Sequence, residues 1–186
     1  KVNENSKAKN TCVLNIRGGE YKLHKNLILP KSYWINAIEN MKNIAEIEDF
    51  VIVTDDYNYA KALFPNFKII SGDIQKCYMN IYYAKYVITS NTSFSYFPIK
   101  TSSQEKTVIA PMYWSRHNQS KRWLSPCNLY SDWLWQDQKG NINKYTKCLK
   151  LTEETRNYYS KYFYINVHSK KLHKKGLKDI IPKELK

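Results

Sequence analysis

Thr11-Cys-Val-Leu-Asn-Ile-Arg-Gly-Gly-Glu-Tyr21 joins a short apolar run to a charged, glycine-bearing turn. Cys12–Ile16 has the length and composition of a buried strand. Arg17 follows it directly with a planar fork of donors, and Gly18-Gly19 let the backbone approach a ligand closely. A strand that ends in such a turn is a junction able to hold a diphosphate.

Working outward, the same grammar repeats. Pro30 suits a helix start, and Tyr33, Trp34, Ala37, Ile38, Met41 and Ile44 recur at three- and four-residue spacing after it. Phe50–Thr54 is a short β-branched run of the kind buried in parallel sheets, and Asp55-Asp56 follows it. Tyr57–Phe64 reads as a short helix stopped by Pro65, and Phe67–Ile70 as the next strand. Asp73 caps a helix to about Tyr83, with Ile74, Cys77, Tyr78 and Ile81 on one face. Tyr86–Thr89 is the fourth strand. Ser93 caps a short helix ended by Pro98, and Thr107–Ala110 is the fifth strand. Strand and helix alternate about four times, which predicts an open parallel α/β sheet of Rossmann-like type. Ligands of such sheets bind beyond the carboxyl ends of the strands, where the polar clusters after strands one, two and four all fall.

Residues 1–10 read as a polar linker or the remnant of a preceding lobe, 11–150 as the α/β domain, and 151–186 as a C-terminal helix and basic tail. The helix is expected from Thr152 to about Tyr164, and the tail carries His168-Ser-Lys-Lys-Leu-His-Lys-Lys175. Trp114, Trp123, Trp133 and Trp135 stand among Arg116, Lys121, Arg122 and Lys139. The chain opens on Lys1 rather than methionine, so a fragment lacking an N-terminal partner domain or a signal is expected.

Composition narrows the class. The chain has 186 residues, 42% hydrophobic and 15% aromatic, enough for a core. Lys and Arg number 30 against 16 acids, a net charge of +14, which fits plain solubility with lysine-rich usage as well as an anionic ligand, an anionic membrane surface or nucleic acid. Cys12, Cys77, Cys127 and Cys148 form no CxxC pair and no zinc spacing; Cys12 and Cys77, inside apolar elements, are expected as buried thiols, and a reducing cytoplasm is expected. No Walker A, GxGxxG, HExxH or GxSxG sequence occurs, and the four histidines lack ligand spacing. No metal and no other cofactor is expected.

Two clusters carry the chemistry. Arg17 at a strand's carboxyl end can clamp a phosphate, or can stand as a surface arginine paired with Glu20 or another acid. Thr89–Ser95 offers hydroxyls and an amide where a helix begins, where helix dipole and free N–H groups favour an anion, and it reads also as simple N-capping by Ser93 with the rest solvated. Asp55-Asp56 reads equally as a ribose or metal contact and as a helix cap.

These clusters, in this order, resemble the α-1,2-fucosyltransferases of glycosyltransferase family 11. Asn15-Ile-Arg17-Gly18-Gly19-Glu20-Tyr21 stands at the family's His-x-Arg-Arg-x-Asp-Tyr motif, with Asn15 for its histidine, Gly18 for its second arginine and Glu20 for its aspartate. Val53-Thr54-Asp55-Asp56 matches a strand ending in Ser-Asp-Asp. Ser90-Asn91-Thr92-Ser93-Phe94-Ser95-Tyr96-Phe97 matches Asn-Ser-Ser/Thr-Phe-Ser-Trp-Trp. Val108-Ile-Ala-Pro111 with Trp114 matches Val-Ile-Ala-Pro and a following tryptophan.

The resemblance covers about residues 11–116 and implies the C-terminal, donor-binding lobe of a GT-B enzyme. It implies metal-independent, inverting transfer of fucose or a related sugar from GDP-fucose to a glycan or lipid-linked saccharide acceptor. Arg17 and Glu20 are then the catalytic pair, with Arg17 offsetting charge on the departing diphosphate and Glu20 as a base. Asn15, Gly18, Gly19, Asp55, Asn91, Ser93, Phe94, Ser95 and Arg116 would form the donor site, and Asp73 would face base or ribose. The basic surface and tail would meet anionic lipid at the inner face of a membrane. The alternatives are a non-catalytic lobe of the same fold and a basic nucleic-acid-binding module that uses lysines and stacking aromatics.

Overall fold

The computed structural model describes residues 10–113 and 129–167. Its centre is a seven-stranded sheet in the order β3-β2-β1-β4-β5-β6-β7. The five expected strands are present as β1 (Thr11–Ile16), β2 (Asp49–Thr54), β3 (Lys68–Ser71), β4 (Tyr86–Thr89) and β5 (Thr107–Pro111). Two short strands extend the sheet beyond them, β6 (Leu134–Gln136) and β7 (Ile142–Asn143). All neighbours pair in parallel except β6 and β7, which are antiparallel.

The helices are α1 (Lys31–Ile44), α2 (Tyr57–Leu63), α3 (Ile74–Tyr83), α4 (Ser93–Thr101) and α5 (Tyr145–Val167). A 3-10 turn at Gly19–Leu23 follows β1. The period-two alternation of β1 divides the core. Cys12, Leu14 and Ile16 pack with Tyr33, Trp34, Ala37 and Met41 of α1 and Ala60 of α2. Val13 points to the other face, with Cys77 and Ile81 of α3, Tyr96 and Ile99 of α4, and Cys148 of α5. The crossovers through α1 and α2 therefore lie on one side of the sheet and those through α3 and α4 on the other. Strand order reverses between β1 and β4, and that gap is the topological switch point.

Several boundaries differ from the sequence reading. Ile44 is 47% exposed, because α1 ends there and leaves the last position of its apolar stripe beyond the sheet. Thr92, not Ser93, caps α4: its Oγ1 accepts the Phe94 N–H at 3.4 Å. Both residue types cap well, so which hydroxyl is aimed at the first turn decides. Pro98 lies inside α4 instead of ending it, and its burial with Ile99 offsets the lost backbone bond. Helix α5 begins at Tyr145, not Thr152, so the expected break at 150/151 lies within a helix. Cys148 and Thr152, one turn apart, are both buried, and the Thr152 hydroxyl donates to the Cys148 carbonyl at 2.9 Å. Trp133 and Trp135 are core residues, with Tyr96 packed edge-on at 4.9 Å from Trp133. The basic tail, Trp114, Trp123 and Cys127 lie outside the described residues.

Polar side chains tie β6 to α1. Gln136 is fully buried, donates to the Tyr33 carbonyl at 2.9 Å and accepts from Asn40 at 2.9 Å. Asn40 also donates to the Gly140 carbonyl at 2.8 Å. No helix among the described residues is long and apolar enough to cross a membrane.

Candidate functional site

The switch point opens into a cleft of about 330 Å³, within the roughly 300–1,000 Å³ usual for small-molecule sites. The end of β1 contributes Asn15, Ile16 and Arg17, and the end of β2 contributes Val53, Thr54 and Asp55. Gly72, Ile74 and Cys77 form the β3–α3 side, and Thr92 and Phe94 the first turn of α4. The first turn of a helix leaves N–H groups without intrahelical partners, and its dipole favours negative charge. Arg17 and the start of α4 thus face one space from two sides.

Arg17 is already engaged. Its Nη1 pairs with Asp55 Oδ2 at 3.0 Å and its Nη2 with Glu20 Oε1 at 3.0 Å. Its guanidinium carbon stands 5.4 Å from the centre of the Tyr21 ring. Its Nε is buried and makes no hydrogen bond. One cation thus faces two carboxylates. Asp55 is the more firmly held of the two, because its Oδ1 also accepts the Gly18 N–H at 2.9 Å.

The glycines serve this acidic loop instead of leaving room for a ligand. A Cβ on Gly18 would stand 2.7 Å from Asp56 Cβ and 2.9 Å from Tyr59 Cδ1. Gly19 has φ +35°, and a Cβ there would meet Asp55 Oδ2. Close approach is required, as expected, but to β2 and α2. Asp56 caps α2 by accepting the Tyr59 N–H at 3.0 Å and pairs with Lys22. The Lys22 ammonium first, and then the Tyr59 N–H, hold its carboxyl below the usual carboxylate range.

A second set of bonds fastens the loop after β1 to the loop after β4. The Tyr21 hydroxyl donates to the Asn91 carbonyl at 3.4 Å, and the Asn91 amide to the Leu27 carbonyl at 3.0 Å. Asn15 donates to the Val53 carbonyl and accepts from the Ser90 hydroxyl, each at 3.4 Å, so it joins the ends of β1, β2 and β4. The buried Tyr33 hydroxyl donates to the Thr89 carbonyl at 2.8 Å.

Of the residues expected in a donor site, Asn15, Arg17, Asp55 and Phe94 line the cleft. Glu20 reaches it only through Arg17. Asn91 is buried and spends its amide on the loop tie, so it is not a lining residue. Ser95 is buried beneath α4, where its hydroxyl bonds that of Thr89 and donates to the Thr92 carbonyl at 3.3 Å. Ser93 is exposed at the start of α4. Asp73 does cap α3, accepting the Lys76 N–H at 3.0 Å at the mouth of the cleft. Arg116 lies outside the described residues.

The sequence reading missed Ile16, Val53, Thr54, Gly72, Ile74, Cys77 and Thr92 as lining residues. Gly72, with φ +88°, marks a tight turn that a glycine beside a capping aspartate could have flagged. Ile74 is 75% exposed despite its place in an apolar stripe, because it is the first residue of α3 at the cleft mouth. Burial pushes the Cys77 thiol up from its ordinary pKa, so it lines the cleft as a neutral group. Among the described residues, no group of three or more His, Cys, Asp or Glu side chains is placed to hold a metal ion. In comparisons with known proteins, no family model and no curated sequence matches the chain.

Proposed function

We propose that the chain is the nucleotide-sugar-binding lobe of a GT-B type glycosyltransferase. In this reading it transfers fucose, or a related sugar, from a GDP-linked donor to a glycan hydroxyl with inversion and without a metal ion. The observation that carries the reading is the meeting of Arg17 and the first turn of α4 across one cleft at the β1/β4 switch point. A diphosphate there would lie between a guanidinium and a helix N-terminus, two groups suited to its charge. The resemblance of the Arg17 and Asn91–Ser95 segments to family 11 motifs supports the choice of a GDP-sugar.

As the acceptor oxygen forms its bond to the anomeric carbon, its hydroxyl proton passes to a general base, the bond to the diphosphate breaks and that electron pair leaves with GDP. Arg17 would stabilise the charge that grows on that leaving group.

Thermal unfolding with added nucleotide tests the reading. At one hundred times its Kd a ligand of the native state adds about 2.7 kcal/mol, or roughly 5–10 °C in a chain of this size. GDP is expected to raise Tm by that order and UDP by clearly less. An equal response to both, or none to either, removes the donor assignment.

A further inference from the structure

An arginine offers its anionic partner two parallel donors along one edge, Nε–H and Nη2–H, and two more across its end. In Arg17 the end is turned to Asp55 through Nη1. The Nε/Nη2 edge is half used: Glu20 takes Nη2 with a single oxygen, while Nε is buried without a partner. The two carboxylates differ in hold. The Asp55 side chain is 28% exposed and is fixed a second time by the Gly18 N–H. The Glu20 side chain is 68% exposed, with Arg17 as its only hydrogen-bonded contact among the described residues.

We propose that Glu20 is an internal stand-in for the ligand's phosphoryl oxygens. It holds the Nε/Nη2 edge of Arg17 until a diphosphate displaces it, and so sets the affinity of the cleft for anions. A phosphoryl group brings oxygens for both Nε and Nη2, a side-on bidentate pair where Glu20 supplies one bond. Displacement costs only an exposed ion pair, and the released carboxylate is taken up by water. Asp55 stays in place and keeps the guanidinium aimed. The two acids that flank Arg17 thus have opposite effects: Glu20 competes with the ligand, and Asp55 positions its receptor. The inference rests on the reading of the cleft as a diphosphate site.

Calorimetric titration with GDP and with inorganic pyrophosphate, at fixed ionic strength, tests it on four proteins: unmodified, Glu20→Gln, Asp55→Asn and Glu105→Gln. Glu105 lies just before β5, at that strand's amino end and not among the cleft residues, and controls for loss of a negative charge anywhere. Exposed ion pairs are worth up to about 1 kcal/mol, so Glu20→Gln is expected to tighten both ligands by up to about fivefold. Asp55→Asn is expected to weaken both, and Glu105→Gln to leave them unchanged. GDP binding that Glu20→Gln leaves equal or weakens overturns the stand-in role while the diphosphate reading survives. Tightening by Asp55→Asn or Glu105→Gln to the same extent also overturns it, since any lost charge would then suffice. Failure of both ligands to bind any of the four proteins overturns the diphosphate reading and the stand-in role with it.

Discussion

Gly18→Ala places one methyl group where the structure has no room for it. The new Cβ would stand 2.7 Å from Asp56 Cβ, 2.9 Å from Tyr59 Cδ1 and 3.2 Å from Asp56 Cγ. Asp56 Cβ cannot swing aside, because it is attached directly to the backbone of the residue that caps α2. Overpacking of this kind costs about 1–3 kcal/mol, and a displaced N-cap costs about 1 kcal/mol. A loss of about 2 kcal/mol is expected, which is roughly 4–8 °C in Tm for a chain of this length. The assay is urea and thermal unfolding followed by circular dichroism without nucleotide. Gly72→Ala is the comparison: a Cβ there meets nothing within 4 Å, but φ is +88°. It should therefore cost only the left-handed backbone penalty, about 1 kcal/mol. If Gly18→Ala unfolds no more readily than Gly72→Ala, then Gly18 is not required for packing against α2, and the account of this turn is wrong.

Arg17→Ala should abolish the GDP-dependent rise in Tm while lowering the unliganded Tm by no more than a few degrees, since its side chain is partly exposed; surviving GDP stabilisation would place the diphosphate elsewhere. Asn40→Ala should cost about 1–3 kcal/mol in urea unfolding, because it leaves the buried Gln136 Oε1 without its donor; a loss below 0.5 kcal/mol, the ordinary scatter for surface changes, would refute the tie between α1 and β6. The Asp56 carboxyl is held below its ordinary value, so its contribution is complete above about pH 4 and is lost as pH falls through the lower folded value. Asp56→Asn should therefore lower stability at neutral pH and flatten its decline on acidification, and parallel profiles for the two proteins would contradict this.

The first five strands were legible because each is a short β-branched or apolar run punctuated by a polar turn, a signal that needs only local sequence. Strands β6 and β7, of three and two residues, are too short to show a period. They form because Trp135 and Gln136 find partners on β5 and α1, contacts set by tertiary structure. Arg17 could be placed at the sheet edge from its position after β1. Its engagement with Asp55 could not, because that pairing depends on β2 lying beside β1. The internal hydrogen bonds of Ser95 and Asn91 were not legible for a related reason. A hydroxyl or amide in a polar run looks the same whether it faces a ligand or a neighbouring carbonyl, and only the helix's orientation separates the two.

Helix α1 is hydrogen-bonded to the sheet on the β4 side of the switch point. Through Tyr33 it holds the end of β4, and through Tyr33 and Asn40 it holds β6 and the turn before β7. It is also the covalent link from β1 to β2. In thermodynamic terms the two late strands are then not a separable fringe. They cannot detach without freeing the helix that covers β1, so their amides should exchange with solvent only when the central sheet itself opens.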